Sequence, residues 1–210
     1  METPLGSHST FHTMLLVPKN IEAFLHFDDT VSVNTAVREH TRTIVQGLGS
    51  DIEKAKAIFE WVRDHIPHTK DIAGDVVTCS AVDVLEMGTG ICFAKSHLVA
   101  AMMRLEKIPC GFCYQLFEND IANDPNSMAL HGLNAVYLES TSEWHRIDPR
   151  GNQDAIRGEF STGDEILAFP DMPFMDDCIY AKPLDIIITG LQDASTIQSL
   201  WPKLPSIPHT

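Results

Sequence analysis

Apolar residues recur at three- and four-residue intervals through the first half of the chain, and the intervals predict helices. The first runs from about Thr35 to Gln46, where Ala36, Val37, His40, Ile44 and Val45 fall near one another and Gly47 is placed to cap the end. The second opens on Ser50-Asp51-Ile52-Glu53, a capping box in which serine oxygen and glutamate carboxylate each satisfy an early backbone donor. Ile52, Ala55, Ile58, Phe59 and Val62 form its apolar stripe, and Pro67 stops it. Ser80-Ala81-Val82-Asp83 signals a short helix ending at Gly88. Past the tight loop Gly88-Thr89-Gly90, a longer helix is expected from about Cys92 to Lys107, with Phe93, Leu98, Met102 and Leu105 on its buried side.

The pattern changes after Pro109. Gly111 to Phe117 is aromatic and suits a strand, Glu118 to Asn126 reads as a polar loop, and Leu130 to Leu138 as a second strand. Glu139 to Glu143 is turn-like, and Trp144 to Asp148 makes a third strand. Helices first and neighbouring strands later argue for an α+β fold with an antiparallel sheet. Residues 1–34 form an irregular lead-in, and prolines break the periodicity of residues 159–210.

Composition narrows the function. The 210 residues are 44% hydrophobic and 21% charged, as in soluble globular proteins, and suffice for one domain. Basic residues number 15 against 29 acidic ones, a net charge of −14. Residues 158–210 carry eight acids against only Lys182 and Lys203. Phosphate neutralisation needs a basic stripe, so nucleic acid is an unsuitable partner, as is an anionic membrane surface. No run approaches a membrane span, and the start lacks the basic and apolar parts of a secretory signal. Five scattered cysteines then read as reduced thiols of a cytoplasmic protein.

Chemistry concentrates in Met87-Gly88-Thr89-Gly90-Ile91-Cys92-Phe93-Ala94. A thiol stands where a glycine-rich turn enters a helix, so unsatisfied amides and the positive end of the helix dipole favour the thiolate. The glycines are expected to leave backbone uncovered around Gly90 and Ile91, whose amides could meet an oxyanion. Further on, His131 opens one strand and Asp148 ends the next, in Trp144-His145-Arg146-Ile147-Asp148-Pro149. An aspartate holding one imidazole nitrogen leaves the other to face a thiol, which is how a Cys-His-Asp triad divides its labour. The two side chains share a sheet face only if the intervening turn is even or a bulge intervenes.

Together these segments resemble the transglutaminase-like superfamily: Gly-x-Cys at a helix start, His at the opening of an apolar strand, then Trp-x-x-x-Asp-Pro. Ala57 to Ile66 looks like the helix this family carries before its cysteine, and Leu105-Glu106-Lys107-Ile108-Pro109-Cys110 like its Leu-Gly-Ile-Pro-Ala passage. The resemblance covers about residues 35–150. It implies a papain-like α+β core with the cysteine helix packed on an antiparallel sheet. Cys92 would be nucleophile, His131 general acid/base and Asp148 its orienter, with neither metal nor other cofactor. Residues 1–210 would form one domain: lead-in 1–34, catalytic core 35–150, and an extension 151–210 packed on the core. The implied reaction cleaves or transfers the acyl group of a peptide or small amide, with an amine as acceptor in the second case. Two places depart from the family pattern. Gly132-Leu133-Asn134 stands where a Val-Glu-like pair is usual. His68 stands near the place of an aromatic residue, and it reads as an aid to the oxyanion or as a satisfied loop histidine.

Other readings come from other residues. Cys110-Gly-Phe-Cys113 suits a redox dithiol in spacing, but three residues along a strand put the thiols on opposite faces. Glu118, Asp120 and Asp124 lack the glycine and terminal glutamate of a calcium loop. His145 and Arg146 are expected to give one solvated and one partly buried face. A catalytically idle peptide- or ligand-binding module on the same fold is the alternative to an enzyme. The sequence leaves the oligomeric state open.

Overall fold

The computed structural model describes residues 15–16, 19–118 and 127–208. Its helices α1 (Thr35–Ile44), α2 (Asp51–His65), α3 (Ala81–Met87) and α4 (Cys92–Leu105) precede the strands β1 (Cys110–Glu118), β2 (Ser127–Leu138) and β3 (Glu143–Ile147). Helices α5 (Asp185–Asp193) and α6 (Ile197–Leu200) and strand β4 (Ser206–Pro208) follow. The fold is α+β, with the cysteine helix laid on an antiparallel sheet. Among the described residues no helix is long and apolar enough to cross a membrane.

Local chemistry starts and stops the helices. Both Ser50–Glu53 and Ser80–Asp83 form complete capping boxes, and Asn34 accepts from the Val37 amide at 2.9 Å to start α1. Gly88 ends α3 at φ 65, a left-handed conformation that favours glycine. Helix α1 stops at Ile44, short of Gln46, because the Val45 amide turns back to the Thr41 and Thr43 carbonyls. Helix α4 ends at Leu105 rather than Lys107, which takes φ 60 in the turn towards Pro109.

Two expectations about burial need correction. The lead-in is not wholly irregular: Ile21–Leu25 is a 3-10 turn, and Phe24 is fully buried edge-on to Trp144, ring centres 4.8 Å apart. Nor is α4 one-sided. Every residue from Cys92 to Arg104 is buried, because β1 and β2 cover one side and α1, α2 and α3 the others.

The sheet order is β1-β2-β3, with β4 also paired to β2. Gly132 lets α4 come close, since a Cβ there would lie 2.6 Å from the Phe93 ring. Asn134 then donates to the Ser96 and Gly111 carbonyls, at 3.1 Å each, fastening helix to sheet. The departure Gly132-Leu133-Asn134 is thus a packing solution. The polar loop expected at 118–126 lies outside the described residues except for Glu118, which ends β1.

Residues after 150 are built into the sheet. Tyr180 bridges Phe112, the Leu116 amide donates to Pro173, and the Leu130 amide beside His131 donates to Pro205 at 2.9 Å. A second apolar cluster joins Phe24, Cys113, Leu133, Ala135, Leu167 and Ile179. His145 is buried, and half-buried Arg146 reaches Glu165 at 2.7 Å and covers the Phe174 ring, so neither is simply solvated.

Candidate active site

Cys92 is the first residue of α4, 9% exposed. Its helix begins at Ile91 with no side-chain cap, whereas α1, α2, α3 and α6 all have one. No side chain therefore caps the first-turn amides of α4, as none caps those of α5. A threonine-rich loop fixes this entry: Thr89 Oγ1 donates to the Pro67 carbonyl at 2.9 Å, and Thr78 Oγ1 to the Thr89 carbonyl at 3.2 Å.

Gly90 is not uncovered, contrary to expectation. It is buried, a Cβ there would sit 3.0 Å from Thr78 Oγ1, and its amide donates to the Pro67 carbonyl at 3.4 Å. The Thr69 amide returns a bond to the Gly90 carbonyl. This parallel bridge sets His68 beside the chain two residues before Cys92.

On β2, His131 pairs across the sheet with Gln115, and its Nε2 lies 2.9 Å from Asp148 Oδ2. The even turn answers the question of faces. Four residues, 139–142, separate Leu138 from its partner Glu143, so extending the register sets position 148 opposite Leu133. Residues 131 and 133 share a face, and Asp148, one step past β3, reaches the imidazole.

The Asp148 carboxylate is fully buried and fully bonded. Oδ2 also accepts from the Ala168 amide at 3.2 Å, and Oδ1 from the Arg150 amide at 3.1 Å. Burial opposes its charge, but His131 and these amides outweigh burial and hold it below the ordinary carboxylate range. Burial likewise opposes an imidazolium at His131. The Asp148 carboxylate and then the neighbouring Cys92 sulfur push it up to about 10. Phe169 and Phe117 stand edge-on to the ring, at 4.9 and 5.8 Å between centres. Cys92, His131 and Asp148 thus come together from three separate elements.

His68 is not a satisfied loop histidine. It is 6% exposed, its Nδ1 has no hydrogen-bond partner, and Asp71 Oδ1 stands off at 3.9 Å. Burial first, then the positive charges of Arg150, Lys95 and His131, push it down to about 3. At neutral pH it is an uncharged ring.

Several neighbours escaped the sequence reading. Gln115 Nε2 donates to the Phe169 and Met172 carbonyls and so seats the segment that bonds Asp148. Lys95 lies fully buried one turn after Cys92. A lysine amid the apolar helix Cys92–Leu105 was the available signal for it. Cys110 and Cys113 enter opposite apolar clusters, all five thiols are free, and burial pushes these two up to about 12. That arrangement gives no dithiol. Among the described residues no group of three or more His, Cys, Asp or Glu is placed to hold a metal ion. A surface cavity of about 540 Å³ lies among the C-terminal helices and one of about 390 Å³ between residues 70–75 and 197–202; neither is lined by Cys92, His131 or Asp148.

The chain is similar to several known proteins. The family described as the transglutaminase-like superfamily matches residues 38–149. Kyphoscoliosis peptidase of Mus musculus is 26% identical over 145 residues, and that of Homo sapiens 26% over 168. These stretches are 63% and 73% of this chain but 21% and 24% of the relatives, so the chain spans less than a quarter of their length. A crystal structure of a candidate cysteine protease from Cytophaga hutchinsonii has the same fold, with a TM-score of 0.53 at 16% identity over 75% of this chain and 46% of that one. The family match takes in more than half of the chain, including Cys92, His131 and Asp148, and the chain belongs to the transglutaminase-like superfamily.

Proposed function

We propose that this chain is a cysteine-dependent hydrolase or acyltransferase acting on a peptide or small amide. The observation that carries this reading is the buried His131–Asp148 pair, 2.9 Å apart, with Cys92 near enough to act on the same imidazole's charge. Sulfur attacks the substrate carbonyl, the C–N bond breaks, and His131 gives its proton to the leaving amine. A thioester remains on Cys92. His131 then takes a proton from water, or from an acceptor amine, as that nucleophile attacks and the C–S bond breaks. Asp148 keeps the ring in one tautomer and balances its charge. The uncapped amides of α4 and the neutral His68 ring are the donors suited to the transient oxyanion. The names of the curated relatives, both peptidases, favour water as the acceptor. A cytoplasmic site of action remains part of this proposal, resting on the five free thiols.

The test is incubation with an acyl-amide or peptide chloromethyl ketone, followed by mapping of the modified residue by mass spectrometry. Labelling confined to Cys92 and abolished in His131→Ala is expected. Folded protein in which Cys92 stays unlabelled while other thiols react would favour the idle binding module. Peptide turnover with and without a primary amine then separates hydrolysis from transfer.

A further inference from the structure

The Lys95 side chain lies wholly inside the protein, where a cation persists only if its donors are satisfied. Its ammonium donates to the Ile66 carbonyl, to the Arg150 carbonyl at 3.0 Å and, more distantly, to the Arg63 carbonyl at 3.5 Å. Among the described residues its hydrogen-bond acceptors are these carbonyls, and no carboxylate lies within ion-pair distance of it. Each acceptor belongs to an arm of the candidate site. Ile66 and Arg63 close α2, from which the chain passes through Pro67 to His68. Arg150 lies two residues beyond Asp148, and its own amide is one of the donors to that carboxylate. Lys95 itself stands one turn after Cys92 on α4. The same corner is tightened by Arg63, whose guanidinium donates to the Gly158 carbonyl at 3.1 Å, and by Gly158, where a Cβ would lie 2.5 Å from the Asp148 carbonyl oxygen.

We infer that Lys95 is a positioning residue: one buried ammonium fixes the Cys92 helix, the His68 arm and the Asp148 turn in a single geometry. The inference rests on the triad reading above, and it adds a role for a side chain that touches none of the reacting atoms. A neutral isostere would take the ammonium donor from three carbonyls and loosen the backbone at Arg150, whose amide then stops aiming at Asp148. The charged groups around the ammonium are Arg150 on one side and Asp148, Asp71 and Asp64 on the other.

The experiment compares Lys95→Met, Lys95→Arg and Arg104→Met, the last removing a buried carbonyl-binding cation from the far end of the same helix. The readouts are thermal stability, kcat and KM on a turned-over amide, and the titration midpoint of His131 by NMR. Lys95→Met is expected to lower kcat about 10- to 100-fold with KM within about threefold, and to bring the His131 midpoint down by about one pH unit or more. Lys95→Arg, which keeps the charge but not the shape, loses less on both measures. Arg104→Met loses stability with kcat and midpoint unchanged. A Lys95→Met protein that is merely less stable, with wild-type kcat and midpoint, overturns the inference. Should Lys95→Met not fold, Lys95→Arg decides, and wild-type kcat and midpoint there overturn it equally. The midpoint needs no turnover, so a failure of the triad reading, seen as full activity in Cys92→Ala, is distinguishable from a failure here.

Discussion

Helix α4 carries a buried cation near each end, and the two ends do different work. At the far end Arg104 reaches the Cys110 carbonyl through Nε and Nη2 (3.2 and 2.7 Å), the Ala181 carbonyl at 2.8 Å, and the His26 carbonyl. It ties the lead-in, β1 and the C-terminal extension together. Near the other end Lys95 binds three carbonyls in the same manner, yet the surroundings differ. There the helix amides lack a cap and His68 Nδ1 lacks a partner. Native proteins rarely leave buried donors unmatched, and those that persist cluster where something must bind. The cations differ too. An arginine keeps its proton at any working pH, whereas burial and then Arg150 push Lys95 down to about 7. The Arg104 end keeps its charge, while the Cys92 end lacks a side-chain cap and holds a cation that pH can discharge.

The sharpest way to break this contrast is to delete one group from each end. Cys92→Ala should reduce kcat/KM by about 10⁴-fold or more while shifting Tm by no more than about 2 °C, since a small side chain at a helix start contributes little packing. Arg104→Met should do the reverse. Its three carbonyls lose their donors at about 1–3 kcal/mol each, so Tm falls steeply while kcat/KM of the folded fraction stays within about threefold. Activity surviving in the first variant, or lost in the second without unfolding, would erase the distinction.

Within the open end, His131→Ala should cost about 10³-fold in kcat and Asp148→Asn about 10²-fold, because the first removes proton transfer and the second disturbs only tautomer and orientation. The pair also makes stability depend on pH. His131 has a raised value, so its contribution is complete below its ordinary 6.5 and is lost as pH rises through about 10. Asp148 has a lowered value, so its contribution is complete above its ordinary 3.8 and is lost as pH falls below that. The stability difference between wild type and Asp148→Asn, followed by denaturant unfolding, should therefore be widest between about pH 5 and 6.5 and narrow on both sides. A difference that stays constant from pH 3 to 10 contradicts the pairing.

The smallest effect belongs to the face on which the start of α4 meets the sheet. Gly132→Ala presses a methyl into Phe93 and should destabilise by about 1–3 kcal/mol in denaturant unfolding. Some kcat should go with it, since Phe93 follows Cys92 directly.

Much of this was legible beforehand. The capping boxes at Ser50 and Ser80, the glycine at 88 and the strand pattern at 130–138 are local signals whose physics acts within four residues. Cys92, His131 and Asp148 stood out as candidates through the resemblance of their segments to family motifs, and their catalytic roles belong to the proposal above. His68 was legible only as a position, and its burial and unpaired nitrogen depend on the Pro67–Gly90 bridge. Strand β4 was hidden by the prolines at 202, 205 and 208, although Pro205 supplies the carbonyl that holds Leu130.

The sequence by itself determined where α2 and α3 start, which residues are candidates for chemistry, and that helices precede an antiparallel sheet. These follow from hydrogen bonds and hydrophobic periodicity between near neighbours. Only the tertiary structure decided that α4 is buried on all sides, that a four-residue turn puts Asp148 on His131, and that Lys95 gathers carbonyls from residues 63, 66 and 150. Such arrangements depend on desolvation and on contacts between residues tens of positions apart, and no local pattern encodes which distant carbonyl a buried ammonium will find.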